Sequence, residues 1–435
     1  MTNQISEKYG NTAVILGGQW GDEGKGKLID IMSGEYEIVA RAAGGANAGH
    51  TVYVRDPVHE NETKKFIFHL MPSGMLYPNV IGVIGNGCVV HLPTLIDEIK
   101  FLKTNNIEVK GRLFISDRAH LVFEYHKIID GLQEERKGKG EVGTTKRGIG
   151  PAYGDKMSRI GIRAGDLLDF ERFEQKLRLN VTTLQTMYDF DFNVEQEIEF
   201  YRGILASVKP MIADTGALLN KANLEGKKIL LEGANGTLLD IDHGTYPFCT
   251  SSNASIGGIC TGTGLAPSKF TAVIGIMKAY MTRVGAGPFP TEQDNETGEM
   301  IREKGGEFGS TTGRPRRCGW FDAVASKYSA DINGMTGINL TKLDVLDSLD
   351  TIKIGVSYKL NGTTLESFPH SAEILEQVEV DYIEMPGWKT DTSSAKKMED
   401  LPPNAKAYVE KLEQLIGASI DFVGVGQKRD EMAIK

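Results

Sequence analysis

Residues 17–27 read Gly-Gly-Gln-Trp-Gly-Asp-Glu-Gly-Lys-Gly-Lys, an acidic pair set inside a glycine-dense turn. A turn of this kind between a strand and a helix lets backbone N–H groups close around an anion, and the helix N-terminus adds unpaired donors and its dipole. Lys25 and Lys27 supply point charges suited to phosphate oxygens. The spacing is not that of a standard P-loop: five residues separate Gly18 from Gly24, and Gly26 occupies the place of the magnesium-binding hydroxyl. A carboxylate beside phosphates is repelled unless a cation intervenes or it has a task of its own. Asp22 therefore reads as a magnesium ligand, a proton acceptor, or both. His50 is the one titratable side chain in the small-residue loop 42–51. A lone histidine is more often structural, but this setting favours catalysis.

Three further stretches carry chemistry. Residues 143–153 combine the hydroxyls of Thr144 and Thr145 with Lys146, Arg147 and glycines, as a phosphate-contacting loop would; Lys156 and Arg159 follow. Residues 309–317 set Ser310, Thr311 and Thr312 beside Arg314, Arg316 and Arg317, whose planar forks suit carboxylates. Thr341-Lys342-Leu343-Asp344 is close to the Asn-Lys-x-Asp guanine reader of GTPases; an aspartate accepts from the ring N–H and exocyclic amine of guanine together. The turn 233–237, with Asn235, is another glycine loop at the end of a strand-like run.

The elements that must hold these residues follow from the apolar pattern. Short β-branched runs predict strands at 12–16, 37–41, 65–70, 80–84, 112–116, 228–232, 273–277, 337–341 and from 420. Helical spacing predicts helices beginning at 28, then at 94–103, 118–137, through 170–222, and at 404–416. The alternation gives an α/β fold. We expect a single large domain over residues 1–435 with insertions, built around a mostly parallel sheet, P-loop-NTPase-like with a variant phosphate loop. Ligand loops belong at the C-terminal ends of such strands.

The 435 residues are 40% hydrophobic and 25% charged, with a net charge of −9. That balance disfavours nucleic acid and anionic membrane as partners. No run approaches a membrane helix, and residues 1–10 lack a signal-peptide segment. Cys88, Cys249, Cys260 and Cys318 have neither metal-ligand nor disulfide-framework spacing, so a cytoplasmic setting is expected.

The motif at 17–27 resembles the signature of the adenylosuccinate synthetases, GTP-dependent ligases that join IMP to aspartate in purine synthesis. The similarity runs from about residue 12 to the C-terminus and is repeated at 143–153, 245–253, 282–291 and 309–317. It implies catalytic roles for Asp22 and His50, and Mg2+ held by Asp22 and the Gly49 carbonyl. GTP would meet Gly21, Glu23, Gly24, Lys25, Gly26, Lys27, Gly49, Thr51, Arg316, Lys342, Leu343, Asp344, Gly424, Val425 and Gly426. IMP would meet Asp22, Asn47, Thr144, Thr145, Asn235, Thr250 and Arg314, with Arg159 reaching in from the neighbouring subunit of a homodimer. Aspartate would meet Ser310, Thr311, Thr312, Arg314 and Arg316. The chain departs from the family's usual residues at Ala46, Asn235, Pro315 and Gly424, where histidine, glutamine, arginine and serine are common. A GTP-binding switch without a second substrate is the rival reading. It fits the two nucleotide motifs but leaves the loops at 143–159 and 309–317 without a purpose.

Overall fold

Val14, Ile15 and Leu16 have no exposed surface, because their strand is covered on both faces and both edges. This strand, β1 (Thr12–Gly17), lies mid-sheet in a computed structural model that describes residues 5–47, 49–55, 63–138, 143–309 and 313–435. The strands sharing its sheet are β2 (Ile38–Arg41), β3 (Ile81–Ile84), β4 (Leu113–Ser116), β5 (Ile212–Ala213), β6 (Ile229–Glu232), β7 (Ala272–Lys278), β8 (Gly337–Thr341), β9 (Ile420–Gly424) and β10 (Met432–Ile434). Their spatial order is 10-9-8-7-1-6-2-3-4-5. Every neighbouring pair is parallel except β9 with β10. Val14 lies opposite Leu231 on one side and Val273 on the other, so apolar side chains of three strands stack in one layer. Each such fully buried side chain contributes roughly 1.5–3 kcal/mol.

The phosphate-type turn leaves β1 and enters helix Lys25–Ser33 through Gly24, at φ 86°, a conformation that glycine adopts without strain. The turns after β6, β7, β8 and β9 open at the same, C-terminal end of the parallel strands, so the sheet gathers the candidate loops by topology alone.

Three expectations need correction, and one sheet went unanticipated. The run at 65–70 is not in the parallel sheet: Thr63–Phe68 pairs antiparallel with His50–Arg55 as a hairpin. The helix expected over 118–137 begins only at Glu124, because His120–Leu121 is spent on a short strand beside Val89–Val90. The helical stretch 170–222 is three helices, Phe170–Gln185, Val194–Val208 and Thr215–Leu224, with β5 at the edge of the sheet between the last two. A second, smaller sheet built on Thr351–Leu360 and Glu379–Pro386 was not foreseen.

Candidate active site

The turn after β1 keeps its shape through Glu23. This carboxylate has no exposed surface. Its Oε1 accepts from the backbone N–H of Gln19 (3.0 Å) and Gly21 (2.9 Å), and Oε2 accepts from Lys25 Nζ at 2.7 Å. A side chain at Gly236 would begin 2.4 Å from Glu23 Oε1, so glycine is required where the turn after β6 closes over it. Glu23 was expected among the GTP contacts; its carboxylate is instead committed to the loop's interior. Lys25 Nζ is also tied to the Asn235 carbonyl at 2.6 Å. Asp22, in contrast, adopts φ 57° and leaves its side chain 41% exposed over the cleft.

That cleft has a volume of about 660 Å³. The first turn of helix Lys25–Ser33 contributes Gly24, Lys25, Gly26 and Lys27 to its wall, a ready anion site. Lys27 Nζ donates to the carbonyls of Gly426 (2.9 Å) and Glu431 (2.7 Å), and burial pulls its pKa down to about 8. Against this turn lie Thr341, Lys342, Asp344, Gly424 and Gly426. Asp344 Oδ1 is buried with no hydrogen-bond partner among the described residues, and burial pushes the carboxyl upward. Thr341 Oγ1 donates to the Glu23 carbonyl at 2.6 Å, which fixes the end of β8 against the turn after β1. Leu343 and Val425 point into the core, so their expected nucleotide contacts reduce to main chain.

A third wall carries Asn47, Gly49, Thr144, Thr145, Asn235 and Thr250. Asn235 has φ 59° and a buried Oδ1 without a partner among the described residues. The loop of Thr144 is anchored from below: Glu134 Oε2 accepts from the N–H of Gly143 (2.9 Å) and Thr144 (3.2 Å), and Asp130 Oδ2 accepts from Gly148 N–H at 2.9 Å. The turn before Thr250 is braced by Thr245, whose Oγ1 receives Trp20 Nε1 (3.2 Å) and Arg283 Nη2 (2.9 Å). The hallmark stretch at 282–291 thus supports the site through Arg283, which has almost no exposed surface.

Arg316 joins these walls. Its Nε lies 3.1 Å from Asp22 Oδ2, an ion-pair distance without hydrogen-bond alignment, and its Nη1 donates to Glu307 Oε2 at 2.6 Å. Arg314 is exposed; its Nη1 would lie 3.9 Å from a side chain at Gly143, which brings the two basic loops together. Arg159 is exposed at the C-terminal cap of helix Ile149–Ser158, off the cleft's lining. His50 begins the strand His50–Arg55, and Thr51 follows it; the side chains of both lie outside the described structure, as do Ser310, Thr311 and Thr312 entirely.

Magnesium is tested by the donor set. Asp22 and the Gly49 backbone offer hard oxygens at the cleft, and among the described residues no group of three His, Cys, Asp or Glu forms a closed cage. One or two protein oxygens plus substrate phosphates and water is the usual arrangement for this ion, so the residues fit it.

Two residues of the site escaped sequence reasoning. Glu307 anchors Arg316 from behind the cleft wall, and its only signal was an acid between the Gly305-Gly306 pair and Gly309. Asn339, 1% exposed in β8 and lining the cleft, has both side-chain polar atoms unpartnered among the described residues; nothing in its neighbourhood of the sequence marks it.

A profile of the adenylosuccinate synthetase family matches residues 14–433. The chain is 53% identical to the chloroplastic adenylosuccinate synthetase of Ostreococcus tauri, over 98% of this chain and 88% of that protein. It is 50% identical to the adenylosuccinate synthetase of Coprinopsis cinerea, over 98% and 99% respectively. Among solved structures, the fully ligated adenylosuccinate synthetase of Plasmodium falciparum superposes with a TM-score of 0.93 at 44% identity, covering 98% of this chain and 100% of that one. The succinoaminodeoxyadenylate synthetase of cyanophage S-2L, at 18% identity and a TM-score of 0.61, shares the fold.

Proposed function

The chain belongs to the adenylosuccinate synthetase family, and from that premise we propose how its cleft performs the family's reaction. The enzyme ligates L-aspartate to IMP at the expense of GTP, giving adenylosuccinate, GDP and phosphate. The observation that carries the assignment of roles is the cleft itself: one exposed carboxylate, Asp22, lies where the phosphate turn, the guanine-type motif and the arginine loop converge.

IMP's 6-oxygen is a poor leaving group and must be activated. In our reading the Asp22 carboxylate accepts the proton from N1 of the base, and the charge moves to O6. O6 bonds to the γ-phosphorus of GTP as the bond to the β-phosphate oxygen breaks and GDP leaves. Lys25 and the first-turn N–H groups of helix Lys25–Ser33 hold the phosphates through the transfer. When bound, Mg2+ would be held by Asp22 and the Gly49 carbonyl and would offset phosphate charge. Aspartate's amine then attacks C6 and displaces the phosphate, with His50 as general acid. Thr145 and Thr250 hold the IMP phosphate, Asn235 its base, and Arg314 and Arg316 the carboxylates of aspartate, with Ser310, Thr311 and Thr312 beside them. Asp344 reads guanine's two donors.

We take residues 1–435 as one domain, because a single sheet draws strands from residue 12 to residue 434. A homodimer is supported by exposed Met157 and Ile160 flanking Arg159, an apolar rim around the arginine expected to enter the partner's site. Among the described residues no helix is long and apolar enough to cross a membrane, and the four cysteines are free, which suits the reducing cytoplasm or plastid stroma alike.

Phosphate release from GTP tests the reading. It should require IMP and aspartate together and yield adenylosuccinate in equal amount. Release independent of both would point to the switch instead.

A further inference from the structure

Glu307 touches no substrate in the reading above, yet four side chains converge on its carboxylate. Oε2 accepts from Lys278 Nζ (3.0 Å) and Arg316 Nη1 (2.6 Å); Oε1 accepts from Lys342 Nζ (2.7 Å) and the Tyr280 hydroxyl (2.6 Å). The side chain has no exposed surface. Burial alone would raise the carboxyl, but Lys278, Lys342 and Arg316 outweigh it and hold it well below the usual carboxylate range. It is ionised, and it is shared.

Stability does not account for such an arrangement, since a buried ion cluster is often no better than well-packed apolar groups. Position does. Arg316 and Lys342 both line the cleft, Arg316 beside Asp22 and Lys342 in the turn that carries Asp344; Lys278 and Tyr280 are fully buried and hold Glu307 from the core side. The main chain repeats the link. The Arg316 N–H donates to the Glu307 carbonyl at 2.9 Å, and Lys342 Nζ also donates to the Gly305 carbonyl at 2.7 Å. Beyond Glu307, Phe308 bridges Pro315 and Gly309 N–H donates to the Arg314 carbonyl at 2.8 Å, so the segment after Glu307 is paired with the one before Arg316.

We propose that Glu307 is a positioning residue that couples the guanine end of the cleft to the aspartate end, by holding Lys342 and Arg316 on one rigid anion. With Nη1 engaged by Glu307, Arg316 keeps Nε and Nη2 for Asp22 and for an incoming carboxylate. With Nζ engaged, Lys342 is fixed two residues before Asp344. The proposal rests on the reading that this cleft takes GTP and aspartate.

The test is Glu307→Gln in the full-length enzyme, with Lys278→Met and the double variant alongside. The amide keeps the shape but turns an NH2 toward either the Lys342 pair or the Arg316 pair, donor against donor. We expect the KM values for aspartate and GTP to rise together, by about tenfold or more, while that for IMP stays within about threefold. Direct GDP binding should weaken in parallel, a readout that needs no turnover. Lys278→Met removes a cation of the same cluster that never reaches the cleft; it should lower Tm and leave the KM values within about threefold. Glu307→Gln/Lys278→Met removes the stranded buried lysine, so it should recover Tm relative to Glu307→Gln and keep both KM defects.

Three results would overturn the proposal: unchanged aspartate and GTP KM values in Glu307→Gln, the same KM pattern in Lys278→Met, or recovery of KM together with Tm in the double variant. Should Glu307→Gln not fold, the double variant decides. Failure of the proposed function would show separately, as wild-type phosphate release that does not depend on IMP and aspartate.

Discussion

Asp344→Asn should move the enzyme from GTP toward XTP. Asp344 lies in the short turn Leu343–Leu346 directly after β8, with Oδ1 buried and without a partner among the described residues. The neighbouring Thr341 is pinned to the phosphate turn at 2.6 Å, so the carboxylate is carried on a rigid mount and cannot swing to a new partner cheaply. Guanine offers it two donors, N1–H and the 2-amino group. Asparagine keeps one acceptor and presents an NH2, which meets the 2-amino group donor to donor. A hydrogen bond to a charged group contributes about 1.5–3 kcal/mol net, and a stranded buried donor costs about 1–3 kcal/mol more, with the two overlapping in part. A loss of about 2–4 kcal/mol, or about 30- to 1,000-fold in GTP KM, follows. Xanthine carries a carbonyl in place of the amine, which the asparagine NH2 can satisfy, so XTP should regain most of the loss. Steady-state KM values for GTP and XTP, with IMP and aspartate saturating, measure the swap. A variant that loses Tm, or loses nothing, with its GTP:XTP preference unchanged would show that Thr341–Asp344 merely ends a strand.

Three other perturbations read separate parts of the site. Asp22→Asn removes the proposed proton acceptor and weakens the proposed magnesium ligand; phosphate release should fall by about 10²–10⁴-fold while GDP binding, measured directly, changes little. Arg159→Leu and Asp22→Ala subunits, each inactive alone, should regain activity when mixed, because one of the two sites in a mixed dimer carries neither change; no recovery after verified exchange would place Arg159 in its own chain's service. Glu197, buried on helix Val194–Val208, has its carboxyl pushed by burial from 4.5 to about 7. The folded protein thus retains a proton that the unfolded chain releases, so this group's contribution to stability falls as pH rises from 4.5 to about 7 and stays low above that. Glu197→Gln should therefore stabilise the enzyme at pH 8 by at most about 3 kcal/mol, with the gain shrinking near pH 5 in paired thermal melts; an equal gain at both values would refute the shift.

The strands that carry the site were legible because they are apolar, β-branched and terminated by glycine turns. β1, β2, β6 and β9 satisfy the whole pattern, β7 and β8 its apolar part without the glycine turn, and these strands and the turns after them supply Asp22, Asn235, Asp344 and Gly424. Elements with other solutions to burial were not legible. β5 is two residues long and half-buried, too short to show a period. The strand Thr351–Leu360 mixes exposed, intermediate and buried positions, since a small sheet packs it unevenly. The helix start at Glu124 was hidden because Leu121 fits a helical stripe yet pairs, with His120, as a strand. Within the site, motif residues could be named, but their braces could not. Glu134 and Asp130 look like exposed-face acids of an amphipathic helix until the loop 143–148 folds onto them. Glu307 acquires its role from lysines and an arginine 9 to 35 residues away.

The variant loop explains its own departure from the P-loop once its two acids are separated by geometry. A longer turn exposes more backbone N–H groups to be satisfied, and Glu23 satisfies two of them from inside while neutralising Lys25. Its neighbour cannot share that space. Asp22 takes up φ 57°, a left-handed conformation that costs a non-glycine residue on the order of 1 kcal/mol, and its side chain is thrown to the opposite side, into the cleft. There its only ion-pair partner among the described residues is Arg316, an arginine with a second anchor of its own. An acid that can leave that partner for an incoming base suits a proton acceptor better than one locked in the loop. The adjacent carboxylates therefore divide the labour: Glu23 builds the turn, and the strained backbone at Asp22 presents the group proposed to do the chemistry.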